Sequence, residues 1–151
     1  MNKFNLLLDK DALALDTYVK LMRATGAVTA RMHKHLAASK LTISQFGVLE
    51  ALFHLGSMMQ QELGKKILKT SGNMTMVVDN LEKRGLVSRK PDPEDRRCTC
   101  ISLTQDGTSL IKKVFPKHAD IAKQIFSALD EKECQHLGVL LKKLGKNQQP
   151  S

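Results

Sequence analysis

The chain has 151 residues, 42% of them hydrophobic and only 4% aromatic, with one Tyr and no Trp. That composition, rich in Leu, Lys and Ala, argues against a β-rich domain and for a mostly helical one with a single modest core. Lys and Arg number 24 against 15 Asp and Glu, a net charge of +9, which points to a polyanionic partner, either nucleic acid or an anionic membrane surface.

The apolar runs are far shorter than the ~20 residues that span a bilayer. The segment Met1 to Lys10 has its apolar stretch only at Leu6 to Leu8 and lacks a small-residue cleavage site, so it does not read as a signal peptide. Three cysteines, Cys98, Cys100 and Cys134, are too few and odd in number for a disulfide scaffold. The expected location is the cytoplasm.

From Lys10 to Ala38, Ala14, Tyr18, Leu21, Thr25, Val28, Met32 and Leu36 follow three-and-four spacing, which predicts one long helix. Thr42 or Ser44 caps a second helix, with Phe46, Leu49, Leu52 and Phe53 as its apolar positions and Gly56 as its stop. A short third helix fits Gln60 to Ile67. Thr70, Ser71 and Gly72 mark a further stop and start. The fourth helix carries Met74, Val77, Val78 and Leu81 on one face and ends in Lys83, Arg84 and Gly85.

Beyond Gly85 the period changes. Leu86 to Lys90 and Thr99 to Leu103 read as two short strands around a charged turn, Pro91 to Cys98. Thr104 to Gly107 then start another long helix with Leu110, Ile111, Val114 and Phe115, kinked at Pro116. Its pattern resumes through Ile121, Ile125 and Leu129. Asp130 caps a last helix with Cys134, Leu137, Leu141 and Leu144 at helical spacing, and Gly145 to Ser151 reads as a polar tail. The long flanking stripes have little to cover them except a second copy, so a homodimer is expected. Its interface would use the first helix and the last two, with Val28, Leu137, Leu141 and Leu144.

Between Lys65 and Arg97, nine basic residues (Lys65, Lys66, Lys69, Lys83, Arg84, Arg89, Lys90, Arg96, Arg97) face five acidic ones. A helix-turn-helix needs small polar residues at the start of its second helix, where they reach base edges and where backbone N–H groups favour phosphate. Ser71, Gly72, Asn73 and Thr75 satisfy that need. Asn73 can pair with adenine, and the Thr75 methyl can touch thymine.

Taken together, Leu41-Thr42-Ile43-Ser44-Gln45-Phe46, Leu63-Gly64 to Thr70-Ser71-Gly72-Asn73, Leu81-Glu82-Lys83-Arg84-Gly85-Leu86, Asp92-Pro93-Glu94-Asp95-Arg96-Arg97 and Leu103-Thr104-Gln105-Asp106-Gly107 resemble the MarR family of bacterial transcriptional regulators. The resemblance covers about Leu13 to Leu144, and its most specific part is Asp95-x-Arg97 followed by Leu103, Thr104 and Gly107. It implies a mainly α fold with a small β-hairpin wing: a winged helix-turn-helix over 41–104, a helical dimerisation region from 1–38 with 105–146, and a disordered tail at 147–151. It also implies a dimer that binds a pseudo-palindromic operator in double-stranded DNA, most simply as a repressor. By position, Ser71, Gly72, Asn73, Thr75 and Met76 would face the major groove. Arg97 would enter the minor groove with Asp95 bracing its guanidinium. Lys65, Lys66, Arg84, Arg89, Lys90 and Arg96 are candidate phosphate contacts.

The segment Phe115-Pro116-Lys117-His118 with Thr70 to Asn73 looks like branches that respond to phenolic or quinone-like compounds. The resemblance places an effector pocket between the dimerisation helices and the reading head, with Tyr18, Met22, Arg23, Phe46, Phe53, Phe115 and His118 as candidates.

Cys98 and Cys100 alternate with Thr99, so both point to one strand face as small fillers beneath the wing. A switch by thiol modification is the alternative, since Arg96 and Arg97 nearby favour thiolate. Thiol-sensing relatives generally carry a reactive Cys near the start of the first long helix, which this sequence lacks. Cys134 falls on an apolar stripe and reads as core. No cofactor is expected, and the sequence holds neither a CxxC pair nor an HExxH motif for zinc. Two other classes remain: a thiol oxidoreductase using Cys98 and Cys100, and a non-specific DNA-architectural protein. The first lacks an accompanying base, metal set or phosphate loop, and no enzyme activity is expected. The second would bind with little sequence preference.

Overall fold

Helix caps set the layout. A computed structural model describes residues 9–67 and 71–148, without the side chains of Asp9, Ser71 and Gly72. Helix α1 spans Asp9–Ala37 and α2 spans Ile43–Leu55. Of the two candidate caps, Thr42 is the one used. Its Oγ1 accepts the Gln45 N–H at 3.0 Å, and Gln45 Oε1 accepts the Thr42 N–H at 3.1 Å. Gly56, at φ 84°, closes α2.

Two residues then form β1, Met58–Met59, followed by α3, Gln60–Lys66. Strand β1 has no counterpart in the sequence reading, because two residues cannot display a period. Helix α4 is Ser71–Lys83, with Met74, Val78 and Leu81 buried and Val77 half-buried. Thr70, part of the expected stop-and-start signal, lies outside the described residues, as does Lys69. Strand β2 is Val87–Pro91 and β3 is Thr99–Leu103. The β2 strand starts one residue later than expected, since the Leu86 N–H bonds back to the Leu81 carbonyl and belongs to the helix end. The sheet order is β1-β3-β2, all antiparallel, with Met58 opposite Ile101 and Val87 opposite Leu103. Pro91 sits on the outer strand, where a missing N–H is tolerated.

Helix α5, Gln105–Phe126, starts on Thr104, whose Oγ1 accepts the Gly107 N–H at 3.0 Å. It continues through Pro116. Helix α6, Glu131–Lys146, is capped by Asp130 in a reciprocal pair with Glu133. The polar tail therefore starts later than Gly145: Gly145 and Lys146 are helical, and Asn147 Nδ2 donates to the Lys143 carbonyl. Residues 149–151 of the expected tail lie outside the described residues.

The core draws on the end of α1 (Leu36), on α2 (Phe46, Val48, Leu49, Leu52), and on Met58, Leu63, Met74, Val78, Leu81, Val87 and Ile101. Ile111 and Val114 add the first part of α5. Helix α6 contributes no buried residue. Cys134 is therefore not a core residue of the single chain but half-buried on an outlying helix. Among the described residues, no helix is long and apolar enough to cross a membrane.

Candidate nucleic-acid interface

The inner face of α4 is anchored by Met74, Val78 and Leu81, so helical spacing turns Asn73 and Met76 outward. Asn73 is exposed and Met76 is 65% exposed. Thr75 is exposed too, and its Oγ1 accepts from Gln60 Nε2 at 2.8 Å. That bond ties the start of α3 to α4. The side chains of Ser71 and Gly72 lie outside the described residues, although their backbone opens α4.

The turn between β2 and β3 is held by its own backbone. The Asp92 N–H donates to the Cys98 carbonyl, and the Cys98 N–H donates to the Asp95 carbonyl, both at 2.9 Å. Asp95 Oδ1 accepts from the backbone N–H of Arg97 at 3.1 Å and from its Nε–H at 3.2 Å. Those two bonds hold the Asp95 carboxyl below the ordinary carboxylate range. The sequence-expected pairing of Asp95 with Arg97 is thus present at the tip. Lys65, Lys66, Lys90 and Arg96 are exposed and, among the described residues, form no ion pair.

Two of the six candidate phosphate contacts are engaged elsewhere. Arg89 is half-buried between Asp79 and Glu82, with Nη2 at 2.6 Å and Nη1 at 3.1 Å from their carboxylates. It joins the base of the wing to α4. Its partners come from a neighbouring element, so a local charge count does not reveal them. Arg84 donates from Nη1 to the Lys40 carbonyl at 2.8 Å and from Nη2 to the Ser39 carbonyl at 3.4 Å. Those acceptors are backbone atoms some forty residues away, invisible in the side-chain pattern.

The cysteines differ from the sequence reading in one respect. Cys98 and Cys100 are half-buried, as fillers would be. Their neighbours, however, are carboxylates rather than arginines. Cys98 Sγ lies 3.8 Å from Asp95 Oδ2, and Cys100 Sγ lies 3.8 Å from Asp92 Oδ2. Burial first, then the nearby negative charge, pushes both thiols up. The expected help to thiolate from Arg96 and Arg97 is overridden, because the carboxylates of Asp95 and Asp92 lie against the sulfurs and Asp95 also takes up the Nε–H of Arg97. Among the described residues no cluster of three or more His, Cys, Asp or Glu can hold a metal ion.

A groove of about 250 Å³ lies where α1, α2 and α5 meet, lined by Val28, Thr29, Met32, Leu36, Ile43, Phe46, Gly47, Glu50 and His118. Of the seven candidate effector residues, it brings together Phe46 and His118, whose rings stack at 4.0 Å. Phe115 packs on His54, which also meets Phe53, beside the groove. Tyr18 and Met22 are exposed at 60% and 50%, and Arg23 is exposed as well, all on the earlier turns of α1 away from this lining.

The sequence reading missed His35. It is buried, 5.7 Å from the His118 ring. Neither of its ring nitrogens, nor Nδ1 of His118, has a hydrogen-bond partner among the described residues. Burial lowers both imidazoles from their ordinary value, with Lys117 adding to the effect on His35 and His35 to that on His118. The signal was available in the spacing: Val28, Met32 and His35 share one face of α1.

The helix pair α3 and α4, with an outward α4 face, followed by a β-hairpin with an arginine at its tip, defines a winged helix-turn-helix. Residues 41–99 match the model of the MarR family. The regulator MhqR of Bacillus subtilis (strain 168) is 38% identical over 134 residues, 89% of this chain and 92% of that protein. Among solved structures, BpsR of Bordetella bronchiseptica, whose DNA binding is described as regulated by 6-hydroxynicotinic acid, is 30% identical with a TM-score of 0.78, over 83% of this chain and 89% of that one. The Streptomyces coelicolor regulator Sco3205, solved with DNA, shares the fold at a TM-score of 0.84 and 24% identity, over 97% of this chain and 92% of that one. The chain belongs to the MarR family. It is a DNA-binding transcriptional regulator of that family.

Proposed function

We propose that the protein acts as a homodimeric, sequence-specific repressor whose operator affinity falls when a small aromatic ligand binds. The observation that carries the DNA reading is the joint exposure of Asn73, Thr75 and Met76 on α4 and of Arg97 on the wing. The first set enters the major groove and Arg97 enters the adjacent minor groove. Lys65, Lys66, Lys90 and Arg96 meet phosphates. Competition between an inverted-repeat duplex and random DNA tests this reading. Equal affinity for both would favour a non-specific architectural role instead.

The dimer reading rests on uncovered apolar surface. Leu13, Leu15 and Val19 on α1 and Val139, Leu140, Leu141 and Leu144 on α6 are all exposed in the single chain. Burying such stripes against a second copy removes them from water at roughly 25 cal/mol per Å². Val28, expected at that interface, also lines the groove. Sedimentation showing a stable monomer at micromolar concentration contradicts the dimer.

For the effector, the groove at Phe46 and His118 offers an apolar wall and, buried behind it, an imidazole Nδ1 without a partner among the described residues, a combination that suits a phenol or aromatic acid. BpsR, which responds to a hydroxylated aromatic acid, lends support by similarity. The rival, electrophile attack on Cys98 or Cys100, is disfavoured by the carboxylates beside both thiols. Replacing both with Ser and titrating a quinone and a non-electrophilic phenol against the operator complex separates the two. Retention of both responses supports the groove, and loss of both supports the thiols.

A further inference from the structure

Helices α1 and α4 end in the same way. At the end of α1 the Leu41 N–H reaches the Leu36 carbonyl and the Lys40 N–H reaches the Ala37 carbonyl. At the end of α4 the Leu86 N–H reaches the Leu81 carbonyl and the Gly85 N–H reaches the Glu82 carbonyl. Each end turns on a left-handed residue, Lys40 at φ 55° and Gly85 at φ 70°, and each is followed by a buried leucine. Gly85 adopts that conformation without strain, whereas Lys40 carries a Cβ that disfavours it.

Arg84 joins the two ends. Its guanidinium leaves the last turn of α4 and donates to the carbonyls of both Lys40 and Ser39. Those carbonyls lie in the turn that follows Ala37, beside the negative end of the α1 dipole. A planar fork with parallel N–H groups suits two neighbouring carbonyls, which an ammonium matches less well. The same contact stabilises the strained turn at Lys40.

We infer that Arg84 is a positioning residue that locks the end of α4 to the end of α1, and so sets the spacing of the two α4 helices in the dimer, rather than a contact to DNA phosphate. This rests on the reading that α4 reads DNA within a dimer. Helix α1 carries much of the exposed apolar surface proposed for the interface. A bond from the turn that closes α1 to the end of α4 is therefore a direct mechanical link from interface to reading helix.

The test uses the full chain and an inverted repeat selected from a random duplex library. Three duplexes are compared over a salt series: the selected repeat, the same repeat with one base pair inserted between half-sites, and random DNA. Arg84→Ala, Arg84→Lys and Lys66→Ala are measured beside the unsubstituted protein, with thermal unfolding to establish the folded fraction. Arg84→Ala is expected to bind the selected repeat about tenfold more weakly and to lose most of the discrimination against the inserted base pair. Its salt slope and its affinity for random DNA stay unchanged, and Arg84→Lys falls between. Lys66→Ala, by contrast, lowers the slope by about one and weakens all three duplexes. A slope reduced by about one in Arg84→Ala, with random DNA weakened in parallel, makes Arg84 a phosphate contact and overturns the inference. So does an unchanged ratio between the two repeats in folded Arg84→Ala or Arg84→Lys. Absence of any spacing preference in the unsubstituted protein overturns the dimeric reading itself, and the inference with it.

Discussion

The Asp95 carboxylate accepts two hydrogen bonds from Arg97, one from its backbone and one from Nε, while the Arg97 side chain stays 92% exposed. An arginine that far into solvent has many rotamers, and the carboxylate removes a share of them before DNA arrives. Asp95→Ala is therefore expected to weaken binding mainly at A·T-rich flanks, and Arg97→Ala to do the same more strongly. The double variant should be no weaker than Arg97→Ala alone, a comparison that titrations on flank-substituted duplexes provide. Because the carboxyl is held below its ordinary value of 3.8, the brace is complete above that value and is lost only as pH falls below it. Asp95 should add no pH dependence to operator binding between pH 5 and 8.

Gly107 sits against the Leu86 carbonyl so closely that a Cβ would lie 2.0 Å from that oxygen. The contact is fixed from both sides. The Thr104 N–H donates to the same carbonyl at 3.1 Å, and Thr104 Oγ1 donates to the Gly85 carbonyl at 2.6 Å. Gly107→Ala must push the start of α5 away from the α4–β2 turn, at a cost of about 1–3 kcal/mol. Chemical denaturation measures the loss, and an unchanged midpoint would show that the junction gives way without strain.

How far the fold was legible follows from where its signals lie. Thr42, Thr104 and Asp130 announce their helices because a capping side chain acts within three residues of itself. The stripe of Met74, Val78 and Leu81 announces the outer face of α4 by exclusion. Strand β1 is two residues long, and its pairing with Ile101 and Cys100 is a tertiary event with no local trace. The same holds for the arginines. Charge marked Arg84 and Arg89 as basic surface, but only the fold brings carbonyls to the first and carboxylates to the second. The histidine pair was hidden for a related reason, since His35 and His118 meet only when α1 and α5 pack.

That pair has a consequence for pH. Both imidazoles are lowered from 6.5 by burial, so the native state holds them neutral while the unfolded chain protonates them near 6.5. The unfolded state then binds more protons below 6.5, and stability falls as pH drops through that value. Above it the pair adds no pH dependence. His35→Leu should flatten the fall in stability between pH 6.5 and 5, as measured by denaturant midpoints across that range. An unchanged slope would mean that His35 is solvated in the native protein.

In the proposed complex the exposed Asn73, Thr75 and Met76 of α4 read base edges while nearby lysines hold the backbone. Asn73→Ala and Lys66→Ala separate the two roles in one titration against operator and random duplexes. Asn73→Ala should relax preference at one base pair per half-site, a loss of about 1–3 kcal/mol on the operator with random DNA unaffected. Lys66→Ala should weaken operator and random DNA alike. Identical profiles for the two variants would contradict the placement of α4 in the major groove.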